Sequence, residues 1–216
     1  MNQQNDGETN LRSERYHEKI LSRIIALSDG IFAFAITLLI LNVVVAEGVT
    51  SQDLPAALAA LWPKYLAFLI SFVVIGAYWV AHVRQLRFLR RYDSGLIWIN
   101  LLFLLFIVMI PFSTSVLSSF TGPLPAMVYA ANIACAGYTS VILWAYATYK
   151  NRLVDANLGS VLVKRGIIVH LIAPVVFTLS IGIAFIDSSA AQYSWLSLVV
   201  FSIFTRWVFK SPEDEI

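Results

Sequence analysis

The chain has 216 residues, of which 59% are hydrophobic and 13% are charged. Soluble domains carry about twice that share of charged residues, and one soluble domain of this length cannot bury so much apolar surface. The proportions exclude a disordered, fibrous or disulfide-stabilised chain, and the single cysteine, Cys135, cannot form an internal disulfide. The formal net charge of +2 indicates no nucleic-acid partner. We therefore expect most of the chain to lie in a lipid bilayer.

Six apolar stretches, taken in chain order, predict six transmembrane helices. Each is close to the roughly 20 residues that a helix needs to cross the hydrocarbon core. A membrane barrel is excluded, because its strands would alternate in polarity over about 10 residues. The expected fold is an all-α integral membrane protein with spans at 24–45, 65–83, 95–117, 126–149, 166–186 and 190–209.

The positive charges predict the orientation of these spans. Of the 15 lysines and arginines, all but Lys64 fall on one side of the predicted membrane. Cytoplasmic loops carry an excess of such residues. We therefore expect a multi-pass protein of the cell membrane with both termini in the cytoplasm. The polar segment 1–22 and the tail 210–216 are expected to flank a transmembrane domain over residues 23–209.

Two charged residues lie inside the predicted spans. Arg206 is near the end of its span, so its side chain can reach the interface. Asp29 is six residues beyond Arg23, which places it about 9 Å below the inner surface at 1.5 Å per residue. An acid within the membrane is functional by default and requires a partner. We expect that partner to be His82 first and Arg23 second.

Other polar side chains are predicted at a depth similar to that of Asp29. They come from the second, third and fifth spans and are Trp79, His82, Asn100 and, more weakly, His170. One interpretation is a hydrogen-bonded clasp that ties the helices together, and the other is a proton relay or ion site. The clasp is favoured, because a relay requires further acids across the membrane and the spans contain one.

The first span carries an apolar stripe at helical spacing, with Thr37 on its flank. By itself such a stripe predicts only packing against another helix or against lipid. Small residues on another face, including Gly30 and Ala33, permit close approach of a neighbouring helix. The residues of the apolar stripe are Leu27, Ile31, Phe34, Leu38 and Leu41.

The start of this helix resembles a family signature. Arg23-x-x-x-Leu27-Ser28-Asp29-Gly30 is similar to the R-x-x-x-F-S-D-G motif that opens the transmembrane protein 175 family, the potassium channels of endosomes and lysosomes and their bacterial relatives. The resemblance extends over residues 23–114. It includes Phe32-Ala33-x-Ala35-Ile36-Thr37-Leu38-Leu39, Tyr78-Trp79-x-x-His82, Asn100-Leu101-Leu102 and Pro111-Phe112.

The resemblance implies a homotetramer whose first helices line a central pore. It further implies a constriction of bulky apolar rings with a threonine nearby, at Phe34, at Thr37 or Leu38, and at Leu41. The charged residues of the signature, Arg23 and Asp29, are implied to stabilise the fold. Two positions depart from the family pattern: Leu27 replaces phenylalanine, and Phe34 replaces the usual isoleucine or leucine. Four Phe34 rings would narrow the pore.

The predicted function is passive conduction of monovalent cations, with K⁺ as the permeant ion and no cofactor. An apolar ring returns little coordination for the water that an ion loses, so the preference for K⁺ over Na⁺ should be modest. The alternative is a proton-conducting or proton-coupled transporter that uses Asp29 and the histidines. No enzyme is expected, because the chain shows no nucleophile–base pair, metal-ligand cluster or phosphate loop.

Overall fold

The computed structural model describes the backbone of residues 2–155 and 158–198, and the side chains of the same ranges from Tyr16 onward. The regular secondary structure of this part of the chain is helical, apart from an isolated bridge between Leu89 and Val154, and turns and irregular segments connect the helices. Short 3₁₀ turns follow the first and sixth α-helices, at Ile40–Asn42 and Tyr149–Asn151. The α-helices are α1 (Asn2–Leu39), α2 (Leu54–Ala60), α3 (Trp62–Leu86), α4 (Ser94–Val108), α5 (Ile110–Ser119), α6 (Pro123–Thr148), α7 (Ser160–Ala184) and α8 (Ser188–Ser194).

Five helical segments within the described residues are long and apolar enough to cross a membrane. They correspond to the first five predicted spans, and the chain is a multi-pass membrane protein. The sixth predicted span, 190–209, starts within α8, but its part from residue 199 onward lies outside the described residues, as do Arg206 and the tail. The five segments are Tyr16–Asn42, Trp62–Leu86, Ser94–Ser119, Pro123–Asn151 and Ser160–Ala184.

The first helix differs from the predicted span at both ends. The α1 helix starts at Asn2, so the polar N-terminal segment and the first span form one continuous helix. At the other end the helix tightens into the 3₁₀ turn Ile40–Asn42, a common way for an α-helix to finish. The span therefore ends at Asn42 rather than at residue 45.

The third predicted span, 95–117, is two helices rather than one. The break lies at Met109, between α4 and α5, and Pro111 follows it. Proline has no amide hydrogen, so it cannot continue the ladder of hydrogen bonds between successive turns. The amide of Asn132 on α6 donates to the Phe106 carbonyl at 3.3 Å, which gives a backbone group beside the break a partner.

Helix α6 is the centre of the described bundle, and it contacts α4, α5, α7 and α8. Its packing on α7 is close because small residues stand where the helices cross. A Cβ atom added to Gly137 would lie 2.8 Å from the ring of Pro174. A Cβ atom added to Gly166 of α7 would overlap the indole of Trp144. The rotation of α7 relative to α6 is therefore strongly constrained.

Two loops meet at one end of the bundle, where α3 and α6 end and α4 begins. The Arg90 amide donates to the Leu153 carbonyl at 2.8 Å, and Leu89 pairs with Val154. Leu89 and Val154 are both buried. The arginines that follow α3 and the basic residues that follow α6 are thus brought to the same end of the molecule.

Candidate functional site

One side of α1 is left uncovered by the rest of the subunit. Its residues are separated alternately by three and four positions, which places them on one helical face. Phe34 is 59% exposed and Leu41 is 66% exposed, although both are large and apolar. We call this the open face of α1; its members are Leu27, Gly30, Phe34 and Thr37 of the helix and Leu41 of the 3₁₀ turn that continues it.

The opposite side of α1 is packed into the core. Ser28, Phe32, Ala35 and Leu39 are all buried, and the last three belong to the main hydrophobic cluster. Turning α1 about its axis would bring these residues to the surface, and each large apolar side chain contributes about 1.5–3 kcal/mol when buried. The core packing therefore determines which residues form the open face.

The stripe predicted for this helix is rotated relative to the open face. Ile31 and Leu38 are half-buried, and Ile31 packs against the main core cluster. Gly30 and Thr37 are exposed in their place, and a Cβ atom added to Gly30 would meet no atom within 4 Å. Thr37 and Leu38 were the two alternatives for the middle position of the implied constriction. Thr37 lies on the open face, whereas Leu38 lies at its edge.

The Thr37 hydroxyl is already engaged as a donor. Its Oγ1 donates to the Phe34 carbonyl at 2.8 Å, within the same helix. The oxygen keeps its lone pairs as acceptors, since a hydroxyl has one hydrogen to donate and two acceptor positions. The open face therefore offers acceptor oxygens at Thr37 between the two bulky apolar residues Phe34 and Leu41.

The end of α1 next to Leu41 is attached to the break in the third span. The Asn42 side-chain amide donates to the Pro111 carbonyl at 3.2 Å. Asn42 itself is half-buried, whereas Leu41 beside it projects from the open face. This bond holds the last turn of α1 against α5, so the direction of Leu41 depends on both helices.

The hydrogen-bond partner of Asp29 is Trp79, so the prediction that His82 or Arg23 would be its partner is wrong. The Trp79 indole Nε1 donates to Asp29 Oδ1 at 2.8 Å, which joins α1 to α3. Arg23 is exposed and forms no ion pair within the described residues. Trp79 is 42% exposed and Asp29 is half-buried, so the pair lies at the surface of the subunit rather than in its core.

His82 follows Trp79 by one turn on α3, but its side chain is buried in the core. Its ring is 4.8 Å from that of Phe103 and 5.8 Å from that of Phe32, measured between centroids. Both ring nitrogens lack a hydrogen-bond partner among the described residues. His82 therefore contributes packing between α1, α3 and α4 and does not bond to Asp29.

A second polar contact joins α1 to α4. The Asn100 amide donates to Ser28 Oγ at 3.2 Å, and Ser28 in turn donates to the Ile24 carbonyl at 2.9 Å. Both side chains are buried. His170 takes no part in these bonds, since its Nδ1 contacts the Gly166 carbonyl of its own helix at 2.7 Å. The polar residues of the signature thus connect α1 with α3 and α4, and α7 is not included.

Asp93 is a polar residue that the sequence interpretation missed. It caps α4 by accepting from the Leu96 amide at 2.8 Å, and it accepts from Tyr146 at 2.9 Å and from Arg152 at 2.9 Å. Burial alone would raise the pKa of the Asp93 carboxyl, but these donors outweigh it and lower the pKa. An aspartate directly before a predicted helix is an N-cap signal, which could have identified part of this role.

Asp93→Asn is expected to lower the apparent melting temperature at pH 7 by about 2–4 °C, equivalent to about 1 kcal/mol for a chain of this size. Asparagine still caps α4, but the charge that pairs with Arg152 is lost. Because the folded pKa is depressed, the stabilisation is present above the unfolded pKa near 3.9 and disappears as the pH falls through the lower folded value.

Thermal unfolding in detergent at pH 7 and at about pH 3 checks this, and the difference from the wild type should shrink at the lower pH. The matched control is Asp187→Asn, because Asp187 caps α8 but forms no ion pair within the described residues. An equal effect of the two substitutions would show that the ion pair between Asp93 and Arg152 does not account for the loss.

Comparisons with known proteins place this arrangement of helices in a family. The model of the family described as endosomal/lysosomal potassium channel TMEM175 matches residues 23–111. A potassium channel of Streptomyces collinus is 32% identical over 77% of this chain and 83% of its own length. The crystal structure of a lysosomal potassium-selective channel TMEM175 homolog from Chamaesiphon minutus superposes with a TM-score of 0.74 and 27% identity, over 87% of this chain and 98% of that one.

A more distant relative carries a different description. The endosomal/lysosomal proton channel TMEM175 of Bos taurus is 31% identical over 62% of this chain and 29% of its own length. The signature at Arg23–Gly30, the helices that hold it and the match to the Streptomyces protein over most of both chains agree with one another. The chain belongs to the TMEM175 family.

Proposed function

We propose that the protein is a passive, potassium-permeable cation channel. Four copies assemble around a central pore, and each contributes the open face of its α1 helix to the pore wall. The observation that carries the proposal is this face: Phe34, Thr37 and Leu41 project from a helix whose opposite side is locked into the core. The relatives named as potassium channels support the choice of ion.

Assembly is further supported by the surface position of Asp29. A carboxylate at this depth costs several kcal/mol if it faces lipid with a single hydrogen bond to stabilise it. The Asp29–Trp79 pair lies at the edge of α1, next to the open face. A neighbouring subunit or the water of the pore would cover it, and lipid would not.

Conduction through such a pore is limited by apolar rings. The bulky side chains of Phe34 and Leu41 would form two rings, and Thr37 would supply hydroxyl oxygens between them. The barrier is the cost of removing water from the ion, with little coordination in return. K⁺ loses its water more easily than Na⁺, so the channel should favour K⁺ modestly.

The membrane orientation is also part of the proposal. The basic residues after α3 and after α6 lie together at one end of the bundle, where the Arg90 amide bonds to the Leu153 carbonyl. Positive loops remain in the cytoplasm. We therefore assign this end, with the N-terminus, to the cytoplasm of a cell membrane, and the C-terminus is assigned there by the positive charges of Arg206 and Lys210.

Ion flux from liposomes that contain the purified protein tests the proposed function. Under a K⁺ gradient we expect rapid flux that is absent from protein-free liposomes, and under an equal Na⁺ gradient we expect slower flux. Equal permeability to both ions would contradict the selectivity, and the absence of both fluxes would contradict the channel.

Proton conduction is a second candidate, favoured by the vertebrate relative that is named a proton channel. Asp29 would be the titratable group, since it lies at the subunit surface beside the open face. A pH-sensitive dye inside the same liposomes distinguishes the two functions. Proton entry that disappears in Asp29→Asn, without K⁺ flux in the wild type, would replace the first proposal with this one.

A further inference from the structure

A groove of about 550 Å³ runs between α3 and α7. Its walls are formed by small and branched apolar residues, among them Gly76, Ala77 and Ala173. Val73, Val80 and Val169 line it and are exposed, so the groove opens at the surface of the described part of the subunit. A Cβ atom added to Gly76 would meet no other atom within 4 Å, which shows how much space the wall leaves.

The groove is maintained by the way α3 is attached. Helix α7 packs tightly on α6 through Gly137 and Pro174. Helix α3 reaches α6 through side-chain hydrogen bonds. The Tyr78 hydroxyl donates to the Ile133 carbonyl at 2.8 Å, the Gln85 amide donates to the Ser140 carbonyl at 3.3 Å, and the Ser71 and Tyr129 hydroxyls lie 3.2 Å apart. These bonds connect α3 to α6 at a distance, and the space beside them is not closed by side chains of α7.

The two ends of the groove differ in polarity. The end near Val73 and Phe177 is apolar, whereas the other end holds Arg84, His170 and Ser140. Arg84 is exposed and forms no ion pair within the described residues. A phospholipid has the same distribution, with a charged phosphate at one end and hydrocarbon along the rest.

We propose that the groove binds one anionic phospholipid of the leaflet at the Arg84 end. The guanidinium of Arg84 holds the phosphate, and an acyl chain lies along Gly76, Ala77 and Ala173. A bilayer-exposed apolar groove is filled by hydrocarbon in any case, since lipid tails are as apolar as the side chains that line it. Basic pockets between transmembrane helices select anionic headgroups, and one arginine near the membrane surface contributes about 1 kcal/mol.

Two substitutions separate this site from general attraction of anionic lipid to a basic surface. Arg84→Gln removes the charge at the groove. Arg87→Gln removes an equal charge one turn further along, where the guanidinium lies over the Phe88 ring at 5.0 Å and does not line the groove. Gly76→Leu fills the groove and leaves every charge in place.

The test is native mass spectrometry of the full chain in micelles, titrated with dioleoyl phosphatidylglycerol or with dioleoyl phosphatidylcholine. We expect the wild type to prefer phosphatidylglycerol, and we expect Arg84→Gln to weaken that binding about five-fold, as the loss of about 1 kcal/mol implies. Arg87→Gln should stay within about two-fold of the wild type, while Gly76→Leu should weaken the binding of both lipids.

Several results would overturn the site. An equal loss of phosphatidylglycerol binding in Arg84→Gln and Arg87→Gln would show that the lipid is held only by general attraction to a basic surface. Unchanged binding in Gly76→Leu would exclude the groove as the place of the acyl chain. A change of oligomeric state in Gly76→Leu would show that protein fills the groove. Because binding is measured without ion flux, failure here is distinct from failure of the proposed channel.

Discussion

Phe34→Ala is expected to raise the potassium flux about ten-fold and to lower the preference for K⁺ over Na⁺. The substitution removes a bulky apolar ring from the proposed constriction, so that an ion passes with more of its water. A ten-fold change corresponds to about 1.4 kcal/mol in the barrier. The measurement is initial flux from liposomes under matched K⁺ and Na⁺ gradients, normalised to the amount of reconstituted protein.

The control for this experiment is Phe112→Ala. Phe112 is 60% exposed and lies on α5, so the substitution removes a ring of the same size and exposure from a helix that is not proposed to line the pore. It should leave flux and ion preference unchanged. The same comparison can be made between Leu41→Ala, on the open face, and Leu124→Ala on α6, which are 66% and 67% exposed. Identical flux and ion preference within each pair of variants would contradict the proposal that α1 lines the pore.

Trp79→Phe is expected to reduce the yield of assembled tetramer strongly. The substitution keeps an aromatic ring but deletes the indole N–H that Asp29 accepts, and a hydrogen bond to a charged group contributes about 1.5–3 kcal/mol. Asp29→Asn should act in the same direction, since a neutral oxygen accepts a weaker bond. The fraction of tetramer is measured by native mass spectrometry after purification at equal concentration.

A variant that combines Asp29→Asn with Trp79→Phe tests whether the two residues act through the hydrogen bond between them. If Asp29 and Trp79 act through the bond between them, the loss in the double variant should be smaller than the sum of the two single losses. Trp98→Phe on α4 is the control, because Trp98 is exposed and is not part of the contact. A stable tetramer with altered ion preference in Asp29→Asn would instead make Asp29 an ion site, contrary to the role in assembly.

The local character of each segment could be predicted from the sequence. Long apolar stretches identified five membrane-spanning segments that the structure describes, because hydrophobic length depends only on neighbours in the chain. Pro111 carries a local signal for a kink in the third span, and the structure shows that the span divides there into α4 and α5. The signature at Arg23–Gly30 indicated the family and thereby a channel and not an enzyme, and the family model and the Streptomyces relative confirmed the family.

The contacts between segments could not be predicted in the same way. Depth along a helix follows from residue counting, so Asp29, Trp79 and His82 were expected at similar depths. Which of them meet depends on how each helix is rotated about its axis. That rotation placed His82 between Phe32 and Phe103 and brought Trp79 to Asp29, 50 positions away in the sequence.

By itself the sequence determined that the chain consists largely of membrane-spanning helices and that its first helix carries the family signature. Only the tertiary structure decided which face of α1 remains open, that Trp79 is the partner of Asp29, and that Asp93 joins the start of α4 to the end of α6. The reason is physical. Hydrophobicity and helix period act between residues that are close in the chain, whereas the rotation and spacing of helices arise from packing among residues that are far apart in it.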